Sequence, residues 1–197
     1  MTVSLSKGEK ISLSKSSPGL TKVFMGLGWD PAKKKAGGFF GKLLGGGQAD
    51  AIDLDASVIM LDAAKSAVDV VYFGQKTSKD GSIRHGGDNR TGDGSGDDEV
   101  IYVNLATLPA NVAHLVFTVS SFRGQTFNEV DNAVARLVND GNAQEICRFA
   151  LTEQGAHTGV VMASLSKNSD GWTMAAHGKP CQGRTASDLA GDARSVV

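Results

Sequence analysis

The sequence has few of the residues that build disulfide scaffolds, soft-metal sites or redox centres. It contains two cysteines, Cys147 and Cys181, which form no CxxC motif and lie in unrelated contexts. Two such cysteines provide neither a disulfide framework nor a zinc-finger ligand set. The four histidines are scattered, with no HxxxH pair and no Ser-His-Asp order. These absences argue against zinc enzymes and triad hydrolases.

The sequence also lacks an excess of charge of either sign, and it lacks long apolar runs. The 20 Lys and Arg residues nearly balance the 21 Asp and Glu residues, which leaves a formal net charge of -1. That balance excludes a generally basic nucleic-acid-binding protein. No apolar run approaches the roughly 18 residues of a membrane-spanning helix. The first residues, MTVSLSKGEK, lack the apolar core of a signal peptide, so we expect a cytoplasmic protein without a membrane span.

Glycine, in contrast, is abundant and unevenly distributed. Of the 25 glycines, eight lie between Gly26 and Gly47 and six between Gly81 and Gly96. Because glycine favours turns and weakens regular strands, these two windows are predicted to be loops. The remaining chain is then free to form regular structure.

Outside the glycine windows, the dominant pattern has a period of two. Between Ile52 and Met60, apolar residues alternate with Asp53, Asp55 and Ser57, as in a half-buried strand. Similar runs recur along the chain and give about nine short strands separated by Gly, Asn, Asp and Ser. This spacing predicts an all-β protein, namely a two-sheet antiparallel β-sandwich with short helical turns.

Several segments have a more specific local prediction. The N-terminal residues are predicted to form a hairpin with Gly8 at its turn, and an Asp-Gly turn within 167–171 is predicted to close a second hairpin. Segment 127–138 fits both the two-residue period of a strand and the roughly 3.6-residue period of a helix. A short helical turn that leads into a strand would satisfy both. The Gly- and Lys-rich segment 31–50 is predicted to be a mobile insertion loop. The C-terminal tail 181–197 is either loose or a short docked helix.

The most informative segment is GDNRTGDGSGDDE, residues 87–99. Five carboxylates fall within 12 positions of this run and repel one another. A hard cation such as Ca²⁺ would stabilise the loop, because calcium takes six to eight oxygen ligands and glycine lets the backbone curl around it. Zinc and copper fit poorly, since the run has no Cys or His. A solvated, flexible acidic loop is the alternative.

The run is not an EF-hand. Asp88 and Glu99 are spaced like the first and twelfth EF-hand positions. However, Arg90 and Gly92 occupy positions that need oxygen ligands, and Asp93 occupies the position that needs glycine. The flanking segments also have strand patterns, so the predicted site is a calcium loop of a β-fold.

Acidic residues from other segments could join this loop. Asp30 ends the GLGWD segment, and Asp131 is a weaker candidate. Asp53 and Asp55 lie about 7 Å apart on one strand face, close enough to serve one ion or two neighbouring ions. Two alternatives stay open: these acids form an ordinary polar strand face, or they are the acid and base of a hydrolase. A hydrolase needs different environments around its acid and its base, so that their pKa values differ. Nothing in the sequence supplies an apolar environment for one of these two carboxylates.

A family resemblance rests on motifs that extend from about Thr2 to Trp172. These motifs are VSLSKG, VFMGLGWD, DLDAS, GDNRTGDGSGDDE, QTFNEVDNA, RLVND and FALTE. Together they resemble the TerD family of bacterial tellurium-resistance and stress-response proteins. The resemblance implies a β-sandwich that binds two Ca²⁺ ions in loops at one end of the sheets. By resemblance, the metal-site residues are Asp30, Asp53, Asp55, Asp88, Asn89, Asp97, Asp98 and Glu99.

The resemblance also carries expectations about function. The length of the segment between Asp30 and Ile52 resembles a TerX- or TerZ-like branch of the family. The resemblance also implies a calcium-binding domain over residues 1–180, followed by the tail 181–197. It implies a non-enzymatic calcium-binding protein of a bacterial tellurite-resistance and stress-response system, in which Ca²⁺ orders the acidic loop and an interaction surface. The implied partners are other tellurium-resistance proteins, including a membrane-associated complex. A Ca²⁺-bridged ligand-binding module and a Ca²⁺-dependent hydrolase are the alternatives.

Overall fold

The computed structural model describes residues 2–32, 52–87, 96–152 and 154–197, and these form two six-stranded sheets. In spatial order, the first sheet contains β1 (Val3–Leu5), β10 (Gln144–Ala150), β9 (Val130–Asn139), β3 (Lys22–Pro31), β7 (Glu99–Asn104) and β6 (Ile83–His85). The second sheet contains β2 (Lys10–Ser12), β12 (Gly171–Cys181), β11 (Gly159–Asn168), β8 (Val112–Ser120), β4 (Asp55–Asp62) and β5 (Ala67–Val71).

The strand pairing confirms the predicted fold class. Every neighbouring pair is antiparallel except β1 with β10, which is parallel. The helical elements are short: α1 (Leu13–Ser16), a 3₁₀ turn (Phe127–Glu129) and α2 (Ala190–Ser195). One apolar cluster contains inward-facing residues of both sheets, as expected for a β-sandwich.

Strand β4 shows how the alternating sequence produces this core. Ala56, Val58 and Met60 are fully buried and belong to the cluster between the sheets. Asp55 and Ser57, which alternate with them, point to the opposite face of the second sheet. The sequence pattern therefore predicted correctly which side of this strand faces the core.

The outer face of the second sheet is covered by the C-terminal tail. Ile59, Val116 and Val161 on that face are fully buried. Leu189 and Ala193 of the tail are also fully buried and belong to the same apolar cluster. Of the two alternatives for the tail, the docked helix is the one that the structure has, because the tail has its own apolar residues to bury.

The predicted N-terminal hairpin is wrong. Gly8 does form the turn, with a φ of 86°. However, β1 pairs with β10 in the first sheet, whereas β2 pairs with β12 in the second sheet. The turn thus carries the chain across the edge of the sandwich, and the two short strands find their partners in the C-terminal half.

Neither glycine window is entirely loop. Strand β6 lies within the second window, and Gly26 and Gly28 of the first lie inside the ten-residue strand β3. A Cβ atom at Gly26 would overlap the Asp97 carboxylate. A Cβ atom at Gly28 would lie 2.8 Å from the Gly96 carbonyl oxygen. Both glycines therefore admit the close approach of the segment before β7 rather than provide a turn.

Two other local predictions are confirmed. Strands β11 and β12 form a hairpin in which Asn168 pairs with Gly171 around Ser169 and Asp170. The 3₁₀ turn leads directly into β9, so segment 127–138 does begin with a helical turn and continue as a strand.

The predicted insertion loop 31–50 lies outside the described residues from residue 33 onward. Among the residues that the structure does describe, no helix is long and apolar enough to cross a membrane.

Candidate functional site

Three consecutive acidic residues, Asp97, Asp98 and Glu99, lie where the chain enters β7, between β3 and the edge strand β6 of the first sheet. The Asp98 N–H donates to the Leu27 carbonyl at 2.9 Å, which places this segment beside the second half of β3. The three side chains nevertheless have different surroundings, and each has its own partner.

Asp97 forms a bidentate ion pair with Arg136 of β9. The guanidinium Nε and Nη2 donate to Oδ1 and Oδ2 of Asp97 at 2.6 and 2.8 Å. The hydrogen bond to Asp97 raises the pKa of Arg136 above its ordinary value, against the opposing effect of burial. Because both oxygens of Asp97 are engaged, this carboxylate connects β9 to the entry of β7 across the space left by Gly26.

Asp98 is half-buried and points toward the end of β3. Its Oδ2 accepts a hydrogen bond of 2.7 Å from the Trp29 N–H. Burial raises the pKa of Asp98 above its ordinary value; the Trp29 hydrogen bond lowers it, and the charges of Asp30, Glu99 and Asp97 raise it further. The structure therefore concentrates negative charge around Asp98.

Asp30 is the exposed member of this cluster. The Asn132 Nδ2 donates to its Oδ2 at 2.7 Å. Asn132 has a φ of 54°, a left-handed conformation that Asn tolerates better than most residues. Strand β3 has an irregularity between Gly28 and Asp30 where it pairs with β9. The two distortions bring the Asn132 amide to the Asp30 carboxylate.

Glu99 is buried between the two sheets. Its Oε2 accepts a hydrogen bond from the Ala56 N–H at 2.7 Å and lies 3.3 Å from the His85 Nε2. The Gly87 N–H donates to the His85 Nδ1 at 3.2 Å, which assigns the ring hydrogen to Nε2, facing Glu99. Glu99 and His85 thus join β4, β6 and β7, and His85 also binds Gly87, the first residue of the acidic motif.

Asp53 and Asp55 lie just before and at the start of β4. Asp53 is buried, and its Oδ2 lies 2.8 Å from the Arg123 Nε. Asp55 is also buried and lies opposite Ser120 in the register of β4 and β8. Paired residues of an antiparallel sheet point to the same face, so the side chains of Asp55 and Ser120 are both on the outer face of the second sheet.

The site residues predicted from sequence therefore fall into three groups. The structure brings Asp30, Asp97, Asp98 and Glu99 together, whereas Asp55 is on the outer face of the second sheet and Asp53 is paired with Arg123. Asp88 and Asn89 lie outside the described residues. Within the described parts of the chain, no group of three or more His, Cys, Asp or Glu side chains is arranged to hold a metal ion.

The residues that position these acids are not among those predicted from the sequence. Arg136, Arg123 and Asn132 each come from a segment distant in sequence from the carboxylate that they contact. Of these residues, only His85 is close in sequence to the acidic motif, because it lies three positions before Asp88. Nothing in a single sequence marks the other three.

The TerD domain family model matches residues 1–191 of the chain. The chain belongs to the TerD family. The tellurium resistance protein TerZ of Serratia marcescens is 50% identical over 195 residues, which cover 99% of this chain and 98% of that protein. The stress response protein SCP2 of Bacillus subtilis is 40% identical over 196 residues, covering 96% of this chain and 98% of that protein.

The fold of this TerD-family protein is also found in a solved structure. A homologue of telluride resistance protein (TerD) from Streptomyces coelicolor A3(2) superposes with a TM-score of 0.66 at 23% identity, covering 87% of this chain and 96% of that one. At that identity the likeness concerns the fold alone. The family model and the sequence relatives make the chain a member of a tellurium-resistance and stress-response protein family. The chain is more similar to TerZ of Serratia marcescens, at 50% identity, than to TerD of the same organism, at 38%.

Proposed function

We propose that this TerD-family protein is a non-enzymatic calcium-binding protein of a bacterial tellurite-resistance and stress-response system. In this proposal, Ca²⁺ binds where β3 ends and β7 begins, and two ions occupy the acidic end of the sandwich. The relatives reported above are named for tellurium resistance and stress response, and neither name refers to an enzymatic activity.

The observation that carries the proposal is the environment of Asp98. Its carboxylate is fixed by the Trp29 N–H, and its pKa is raised first by burial and then by the charges of three further carboxylates. Such crowding is unfavourable for the ionised protein. A cation that binds carboxylate oxygens would remove the repulsion, and Ca²⁺ is the ion best suited to an all-oxygen ligand set of variable geometry.

The proposed ligands are Asp98 and Asp30, together with Asp88 and Asn89 of the acidic motif. Asp98 and Asp30 fit the role because they lie together at the end of β3 and present hard oxygen donors. Asp97 and Glu99 fit the role of calcium ligand less well, because their side chains already have protein partners. Asp97 has both oxygens engaged with Arg136, and the Glu99 Oε2 is held by Ala56 and His85. We assign these two residues to supporting the site.

Calcium binding would stabilise one end of the sandwich. It would connect β3 to β7 and order the acidic loop into a defined interaction surface. We propose that other tellurium-resistance proteins, including a membrane-associated complex, recognise this calcium-loaded surface. At free Ca²⁺ of about 100 times the Kd, each site would raise the free energy of unfolding by about 2.7 kcal/mol.

Calorimetric titration with Ca²⁺, with and without competing Mg²⁺, tests the proposal. The wild type should bind Ca²⁺ in preference to Mg²⁺, and Asp98→Asn should lose at least one site. Asn keeps an oxygen that can accept the Trp29 hydrogen bond, so this variant should fold. Asp170→Asn, in the exposed turn of the β11–β12 hairpin, is the control and should bind like the wild type. Absence of both heat and thermal stabilisation by Ca²⁺ in the wild type would refute calcium binding.

A further inference from the structure

A cavity of about 320 Å³ opens on the outer face of the second sheet. Strands β4, β5 and β8 supply one side, and residues 184–187 of the C-terminal tail supply the other. Its size is at the lower end of the range for small-molecule sites in proteins. The cavity is therefore large enough for a compact organic ligand.

Aromatic rings surround the mouth of this cavity. Tyr72 and Phe73 pack edge to face with ring centroids 5.4 Å apart, and Phe73 and Phe122 do so at 6.0 Å. Phe122 is 53% exposed and Tyr72 is 36% exposed. A cluster of partly exposed aromatic rings at the mouth of a cavity is typical of a ligand-binding site.

The floor of the cavity is polar. Asp55, Ser57 and Ser120 line it and are buried. Asp55 and Ser57 are alternate residues of β4 on one face, and Ser120 is paired with Asp55 across the sheet. The cavity thus combines a rim of aromatic rings with a carboxylate and two hydroxyl groups beneath them.

We propose that this cavity binds an organic ammonium ion, with its charge against the aromatic faces and Asp55. The negative face of an aromatic ring attracts a cation, and a nearby carboxylate adds a full opposite charge. Ser57 and Ser120 can hold a hydroxyl or amine group of the same ligand. Arg184 also lines the cavity, and its positive charge would repel an ammonium ion. However, the Arg184 Nη2 is only 2.8 Å from the position that a Cβ atom would have at Gly124, so the guanidinium packs against the turn at Gly124. This proposal does not depend on calcium binding.

Choline and its uncharged isostere 3,3-dimethylbutan-1-ol are the probes for this site. They have the same shape, so any difference in affinity reports the charge. Both are titrated into the wild-type protein and followed by amide chemical shifts. Choline should bind about tenfold more tightly than the alcohol, and the shifts should concentrate around Tyr72, Phe122 and Ser187. Equal affinity, absence of saturable binding, or shifts elsewhere would overturn the proposal.

Substitutions then separate the aromatic and charged contributions. Phe122→Leu keeps an apolar side chain at an exposed position, and it should weaken choline binding about threefold or more without weakening the alcohol. Phe24→Leu, a partly buried ring of β3 in the first sheet, is the matched control and should leave choline binding unchanged. An unchanged choline affinity in Phe122→Leu would contradict the aromatic role.

Asp55→Asn tests the charge and distinguishes this site from the calcium site. It should weaken choline binding and leave the heat of Ca²⁺ binding unchanged. Loss of the Ca²⁺ heat in this variant would return Asp55 to the metal site and overturn its assignment here. Acetyl-trimethyllysine amide, compared with choline, shows whether the ammonium group comes from a protein side chain or from a free small molecule.

Discussion

Replacing Gly26 with alanine tests the contact between β3 and the acidic segment most directly. The added methyl group would overlap the Asp97 carboxylate, which Arg136 holds in a bidentate ion pair. To accommodate the methyl group, the Asp97 side chain must move and lose at least part of that ion pair. Overpacking of this kind typically destabilises a protein by about 1–3 kcal/mol.

The size of the effect follows from two opposing contributions. Alanine would stabilise the native state by about 0.4–1 kcal/mol at a position with compatible backbone angles, because it restricts the unfolded chain. Overlap and weakening of the Arg136 pair act in the other direction. We expect a net loss of about 2 kcal/mol in the free energy of unfolding, or about 4–8 °C in Tm for a chain of this size.

The assay is urea unfolding of a double-mutant cycle that combines Gly26→Ala with Asp97→Ala. Removing the Asp97 carboxylate removes the atoms that the new methyl group would contact. Gly26→Ala should therefore be close to neutral in the Asp97→Ala background, with a coupling free energy of about 1–3 kcal/mol. If Gly26→Ala destabilises both backgrounds equally, the glycine is needed for another reason and the contact with Asp97 does not explain it.

Two further predictions concern the second sheet. Leu189→Ala should lower the free energy of unfolding by about 2–4 kcal/mol, because Leu189 is fully buried against the outer face of that sheet. The exposed Arg194→Ala is the control, and a loss below about 0.5 kcal/mol for Leu189→Ala would mean that the tail does not dock. Burial and the charge of Lys10 lower the pKa of His177 from 6.5 to about 4, and its Nε2 lies 2.8 Å from the Ser164 hydroxyl. The unfolded chain therefore binds a proton first as the pH falls, so this histidine should reduce stability between about pH 6.5 and pH 4. His177→Gln should flatten that part of the stability profile measured by chemical unfolding; an unchanged slope would contradict the burial of an uncharged ring.

The outcome for β3 shows where sequence reasoning about this fold fails. Glycine usually marks turns, so the window beginning at Gly26 was predicted to be a loop. In the structure, Gly26 and Gly28 are strand residues, since side chains there would collide with Asp97 and the Gly96 carbonyl. The local pattern could not reveal this, because the colliding atoms belong to a segment about 70 residues further along the chain.

For the acidic residues as well, the sequence indicated a type of chemistry but not the contacts. Their identities and their interleaving with glycine pointed to oxygen-ligand chemistry, and that prediction remains to be tested by calcium titration. Their actual partners were not predictable. Asp97 is held by Arg136, Asp53 by Arg123, and Glu99 by the Ala56 N–H. Each partner comes from another strand or loop, and only the folded sheets bring the pairs together.

The sequence by itself determined the fold class, the core face of β4, the β11–β12 hairpin and the helical turn before β9. These features follow from periods of two and 3.6 residues and from turn residues, which act over short distances along the chain. Only the tertiary structure decided that β1 and β2 join different sheets, that the tail covers the second sheet, and that Asp55 lines a cavity with Tyr72 and Phe122. Those outcomes depend on which distant strands become neighbours, and strand pairing in a β-sandwich is set by contacts across the whole chain.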